Sequence, residues 1–148
     1  MTKEIRTEVL IKASPKEVWE VLINFKDYPK WNPFIQFIEG DLALGNQLKV
    51  KIIPPESKGM IFKPIIIELE ESKRLQWLGY FLFKGVFDGT HKFELKDNEN
   101  GTSTLIHSEV FKGILVPFFG KKFEKNIEQG FRLMNDRLKK IIENPDWV

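Results

Sequence analysis

The chain has 148 residues, 42% of them hydrophobic and 30% charged, the size and balance of one globular domain spanning 1–148. A net charge of +2 is too small to mark nucleic acid or an anionic membrane as the main partner. Cysteine is absent and histidine occurs twice, at His91 and His107, which excludes disulfides, thiol catalysis, thiolate zinc sites, iron–sulfur clusters and a three-histidine metal centre within one chain.

Residues 5–12 place Val9, Leu10 and Ile11 among charged neighbours and read as a strand. A helix start follows. Ser14 caps free amides, Pro15 suits the first helical position, and Glu17 completes a capping box. Val18, Val21, Leu22 and Phe25 continue at helical spacing until Asp27-Tyr28-Pro29 and Trp31-Asn32-Pro33 interrupt it. Strands then dominate: 34–39, 47–53, 60–70 with Pro64 marking an edge or bulge, 74–83, a strand ending near Lys96, and 102–112. Asp97-Asn98-Glu99-Asn100-Gly101 is a hairpin signal. An apolar loop, 113–120, leads to a long helix ending near Glu143. Its stripe is Phe119, Phe123, Ile127, Phe131, Met134, Leu138 and Ile142.

The expected class is therefore α+β. A curved antiparallel sheet of about seven strands wraps a long C-terminal helix, with two short helices after the first strand. A single helix is ~10 Å wide and leaves part of a curved sheet's concave face uncovered. The remaining space is either a cavity or plugged by large side chains. The 13 Phe and 4 Trp suit both outcomes. No apolar stretch follows a basic start and no run approaches ~18 apolar residues, so a cytoplasmic chain without stable membrane insertion is expected.

The order of these pieces resembles the START-like helix-grip superfamily, and more closely its polyketide cyclase/dehydrase-like SRPBCC ligand-binding proteins. The matching segments are Ala13-Ser14-Pro15-Lys16-Glu17-Val18-Trp19, Trp31-Asn32-Pro33, Gly89-Thr90-His91-Lys92-Phe93 and Glu109-Val110-Phe111-Lys112-Gly113. The resemblance covers essentially the whole chain. It implies a hydrophobic cavity between sheet and helix, and it implies no single reaction.

Candidate site residues follow from strand alternation. Phe87, His91, Phe93 and Leu95 share one face, which points inward. On the return strand Leu105, His107, Glu109 and Phe111 share a face. A three- or five-residue loop sets Glu109 or a near neighbour opposite His91; a two-residue Asn100-Gly101 turn sends it outward. The odd-numbered face, carrying bulky Leu105 and Phe111, is expected inside. His91, His107 and Glu109 then form a polar cluster in apolar surroundings. Three uses fit it: a mutually satisfied buried pair with no chemistry, a hydrogen-bonding anchor for a ligand, or a general acid and base. The expected pocket lining is Trp31, Trp77, Phe81, His91, Phe93, His107, Glu109, Phe111, Phe123, Ile127, Phe131 and Met134. His91 and Glu109 are the catalytic candidates. No metal and no cofactor are expected. Gly130, mid-helix, implies close strand approach, space for a ligand, or an exposed position. The segment 114–119 reads as a lid, as packing under the helix start, or as a contact patch. Lys121 and Lys122 beside it read as a solvated helix face.

The leading expectation is a binding protein, monomeric or weakly dimeric, for a hydrophobic small molecule of aromatic, polyketide-like or lipid-like character. The alternatives are a cyclase- or dehydratase-type enzyme using His91 and Glu109 for proton transfer, and a chaperone or lipid-carrier interaction module.

Overall fold

Strand β1 (Thr2–Ile11) alternates between the two sides of its sheet and buries Ile5, Thr7 and Ile11. The computed structural model describes residues 2–81 and 83–147, apart from the side chains of Phe81 and Trp147. Helix α1 (Pro15–Leu22) begins with the expected capping box: the Glu17 N–H donates to Ser14 Oγ at 3.3 Å, and the Glu17 carboxylate reaches back to the Ser14 amide. A short turn leads to α2 (Tyr28–Trp31). Here the Asn-Pro signal acquires a structural reason. Asn32 Oδ1 accepts from the amides of Phe34 and Ile35 at 2.9 and 2.8 Å and steers the chain into β2 (Ile35–Glu39).

β3 (Lys49–Ile52) and β4 (Met60–Phe62) follow, then β5 (Ile65–Glu70), β6 (Arg74–Phe81), β7 (Phe87–Asp97) and β8 (Ser103–Lys112). The larger sheet has the order β1-β8-β7-β6-β5 and the smaller β2-β3-β4. The strand expected over 60–70 is in fact two strands in different sheets. Pro64, which has no N–H to give a ladder, is where they part. The two sheets still form one curved surface, because Leu48 N–H donates to Pro64 O at 2.8 Å and Ile66 N–H to Asn46 O at 3.0 Å.

Helix α3 (Lys121–Glu143) lies across the concave face against β1 and β8. Its buried positions are Ile127, Gly130, Phe131, Met134, Asn135 and Leu138, the i, i+3, i+4 spacing of a core-facing stripe. Phe119 precedes the helix rather than opening it; it closes a turn formed by Val116–Phe118. Gly130 is explained by an aromatic neighbour, not by ligand space or exposure. The Phe34 ring packs so closely on the helix there that a Cβ would overlap it. Phe34 also meets Phe131 edge-on at 5.4 Å.

Candidate functional site

The β7–β8 hairpin sets the site. Asp97 pairs with Ser103 around a five-residue loop, so His91 stands opposite Glu109 and Phe93 opposite His107. That register turns the odd-numbered residues of both strands inward, as expected, and the two-residue turn is not formed. His91 and His107 are buried, and Glu109 is 14% exposed.

Their polar atoms form one chain. Glu109 Oε1 lies 3.5 Å from His91 Nδ1, and His91 Nε2 lies 2.8 Å from His107 Nε2. His107 Nδ1 lies 2.8 Å from Asn135 Oδ1, Asn135 Nδ2 donates to Thr7 Oγ1 at 2.8 Å, and Thr7 Oγ1 donates to the His107 carbonyl at 2.9 Å. A carbonyl only accepts, so this last bond fixes the direction of all the others. The single Thr7 hydroxyl proton is committed to His107 O, so Thr7 accepts from Asn135. Asn135 Oδ1 then accepts from the His107 Nδ1–H. His107 Nε2 is bare and accepts from the His91 Nε2–H. The bare atom left at the end is His91 Nδ1, and it faces Glu109. A carboxylate has nothing to donate to it, whereas a carboxylic acid does.

Electrostatics agree with that polarity. Burial pushes the Glu109 carboxyl up to about 8 and pulls His91 down to about 3. His107 is also lowered, by burial first and by the neighbouring His91 second, against the raising effect of its bond to Asn135. The cluster at neutral pH is therefore two neutral imidazoles and a neutral acid. Glycine makes room for that acid: a Cβ at Gly89 would sit 2.6 Å from Glu109 Oε2.

Aromatic rings enclose the chain on one side. His91 stacks on Trp77 at 5.0 Å, and His107 on Phe131 at 4.0 Å with the planes 16° apart. Phe93 packs beside both imidazoles, at 4.9 and 4.6 Å. Trp77, Phe93, His107, Phe131, Met134 and Ile127 are all closed to solvent. At this middle level, of the two outcomes the sequence allowed, rings fill the space between helix and sheet. Toward the start of α3 the rings loosen. Phe87, Phe119 and Phe123 are half-buried, and Phe111 packs against Phe87 at 5.2 Å and Phe123 at 5.6 Å. Phe111 Cε1 also lies 3.6 Å from the Cβ position of Gly89, next to Glu109. The acid thus stands between the closed ring stack and this looser aromatic cluster.

Most of the expected lining residues come together here. Trp31 does not. It lines a separate open groove of about 540 Å³ with Glu17, Val21, Asp27, Ile141 and Ile142, beside the far end of α3. At ~1.5 Å per residue, Ile142 lies about 28 Å along that helix from Phe123. The Phe81 side chain lies outside the described residues. The expected lining leaves out Asn135, Thr7 and Gly89, and also Phe87 and Phe119, although Phe87 reads as facing inward and Phe119 as part of the helix stripe. Asn135 and Thr7 had a signal, each being a polar residue at an inward position of a regular apolar pattern. Among the described residues no cluster of three or more His, Asp or Glu is placed to hold a metal ion, and no helix is long and apolar enough to cross a membrane.

A long helix gripped by a curved antiparallel sheet, with polar groups held between them, defines the START-like helix-grip class. Within it the chain belongs to the polyketide cyclase/dehydrase and lipid transport family, whose sequence pattern matches residues 2–143. No functionally curated protein matches the sequence. Solved structures give the same fold. A START superfamily protein from Mycobacterium smegmatis superposes with a TM-score of 0.74, at 17% identity over 96% of this chain and 98% of that one. Ara h 8.0201 gives 0.72 at 17% identity over 97% and 99%. A norcoclaurine synthase point mutant from Thalictrum flavum, bound to a transition-state analogue, gives 0.67 at 17% identity over 98% and 96%. At these identities the likeness is one of fold.

Proposed function

We propose that the protein binds a neutral hydrophobic small molecule, aromatic or lipid-like, among Phe87, Phe111, Phe119 and Phe123, with protonated Glu109 as its polar anchor. The supporting observation is Glu109 itself: a neutral acid, partly reachable, at the boundary between a closed ring stack and half-buried rings. Its one O–H, which faces His91 Nδ1 at the long distance of 3.5 Å, turns to a ligand carbonyl when one binds, or stays and leaves the other oxygen to accept from a ligand hydroxyl; neither brings a buried charge. His91, His107, Phe93, Trp77 and Phe131 form the rigid floor, and segment 114–119 covers the ligand. Family membership supports the hydrophobic class of ligand.

Calorimetric titration with 2-acetylnaphthalene, a neutral aromatic ketone, tests this. Wild type is expected to bind it one to one. Glu109→Leu is expected to weaken binding about tenfold, the worth of one good hydrogen bond. Glu109→Gln, which keeps a donor, retains it. Wild-type affinity in both Glu109→Leu and Phe111→Ser contradicts the reading.

The directional chain favours a second use of the same atoms. A neutral acid with a pKa near 8 beside a bare imidazole nitrogen suits proton transfer to a bound carbonyl. In that case Glu109→Gln keeps binding and abolishes turnover.

A further inference from the structure

Three large apolar side chains project from one end of the molecule: Phe83 is 75% exposed, Ile114 71% and Phe118 80%. They sit on two loops tied to each other. Ile114 N–H donates to Gly85 O at 3.2 Å and Leu115 N–H to Val86 O at 3.0 Å. Gly113, with φ at +137°, presses so close to the Val86 carbonyl that a Cβ would overlap it. The loops therefore form a single tip. Behind it, Phe119 stacks on Phe87 at 4.4 Å and joins the tip to the aromatic cluster.

Cations surround the tip. Lys84, Lys112, Lys121 and Lys122 are exposed, and among the described residues none of their side-chain ammonium groups takes part in a hydrogen bond or ion pair. The nearby carboxylates are already engaged: Asp88 accepts from Gly85 N–H at 2.9 Å, and Glu124 pairs with Lys3 at 2.7 Å. Lys121 and Lys122 occupy the first turn of α3, where the helix dipole disfavours positive charge. An external anion would offset that cost. The whole-chain charge of +2 conceals this local concentration.

We propose that this end docks peripherally on an anionic lipid bilayer. Phe83, Ile114 and Phe118 enter the headgroup–acyl boundary, and Lys84, Lys112, Lys121 and Lys122 face the lipid phosphates. Three strongly exposed apolar side chains beside four exposed lysines without side-chain partners match the boundary of an anionic bilayer, apolar within and negative at its phosphates. The docked face is the one beside Phe119, so a greasy ligand would pass between bilayer and aromatic cluster without crossing water. The docking surface does not depend on which ligand, if any, is bound.

Cosedimentation with vesicles tests the proposal, using phosphatidylcholine alone and phosphatidylcholine mixed with phosphatidylglycerol. Wild type is expected to pellet with the mixed vesicles, to remain in solution with phosphatidylcholine alone, and to be released by high salt. Each lysine-to-glutamine change is expected to lower partitioning about fivefold. The combined Phe83→Ser, Ile114→Ser, Phe118→Ser variant is expected to lose binding; all three positions are exposed, and circular dichroism verifies its fold. Wild type left in solution with mixed vesicles overturns the proposal, as does binding that survives the serine variant or is indifferent to the lysines.

Discussion

Glu109 shows how surroundings, rather than residue type, assign a chemical role. Its carboxyl is protonated at neutral pH because burial raises its pKa from 4.5 to about 8. A carboxyl raised in the folded state contributes stability that is whole below pH 4.5 and is lost as pH rises through 8. His91, lowered from 6.5 to about 3, acts in the opposite sense: its contribution is present above 6.5 and is lost as pH falls toward 3. The two oppose each other between 4.5 and 6.5, and above 6.5 Glu109 acts alone. Urea unfolding is therefore expected to show a loss of about 2 kcal/mol between pH 6.5 and 8. Glu109→Gln is expected to remove that loss, and parallel profiles for the two proteins would refute the assignment. The hydrogen-bond chain makes a second claim. Nitrogen-15 NMR is expected to find His107 protonated at Nδ1 and His91 at Nε2. Asn135→Leu leaves the His107 Nδ1–H unpaired and is expected to cost ~1–3 kcal/mol. At this scale the pairing of His91 with Glu109 was legible from alternation along two strands joined by a short loop. The partners that orient it were not, because Thr7 and Asn135 come from β1 and α3, and sequence spacing carries no record of which elements meet.

The elements themselves were largely written in local chemistry. Ser14 and Glu17 mark a helix start by their own hydrogen bonds, and the α3 stripe follows from its period. Errors fell where tertiary contacts decide. The run 60–70 has the apolar, β-branched composition of one strand, yet Pro64 divides it between sheets. Gly130 reads equally as close strand approach, ligand space or exposure, and only the assembled fold shows the approach to be that of the Phe34 ring, one residue ahead of β2, which occupies the place of its side chain. Gly130→Ala should accordingly destabilise the protein by ~1–3 kcal/mol through overpacking, despite alanine's ~1 kcal/mol advantage in helix propensity. In a Phe34→Leu background the penalty should shrink. Denaturant midpoints of the four proteins in this double-mutant cycle measure the coupling, and additive effects would disprove the contact.

For the molecule as a whole, one helix across a curved sheet leaves a space whose use depends on position along the helix. In the middle, Trp77, His91, Phe93, His107 and Phe131 fill it with stacked rings. Near the start of α3, partly exposed rings and a neutral acid occupy it. Composition announced the aromatic excess, but only the assembled fold separates a closed stack from a looser cluster. The proposed ligand site belongs to the looser end. The direct measurement is amide chemical-shift mapping by NMR on addition of 2-acetylnaphthalene. The account predicts perturbations concentrated at Phe87, Gly89, Glu109, Phe111, Phe119 and Phe123. Perturbations centred instead on the groove beside Trp31 and Ile141, or none at all, would contradict it.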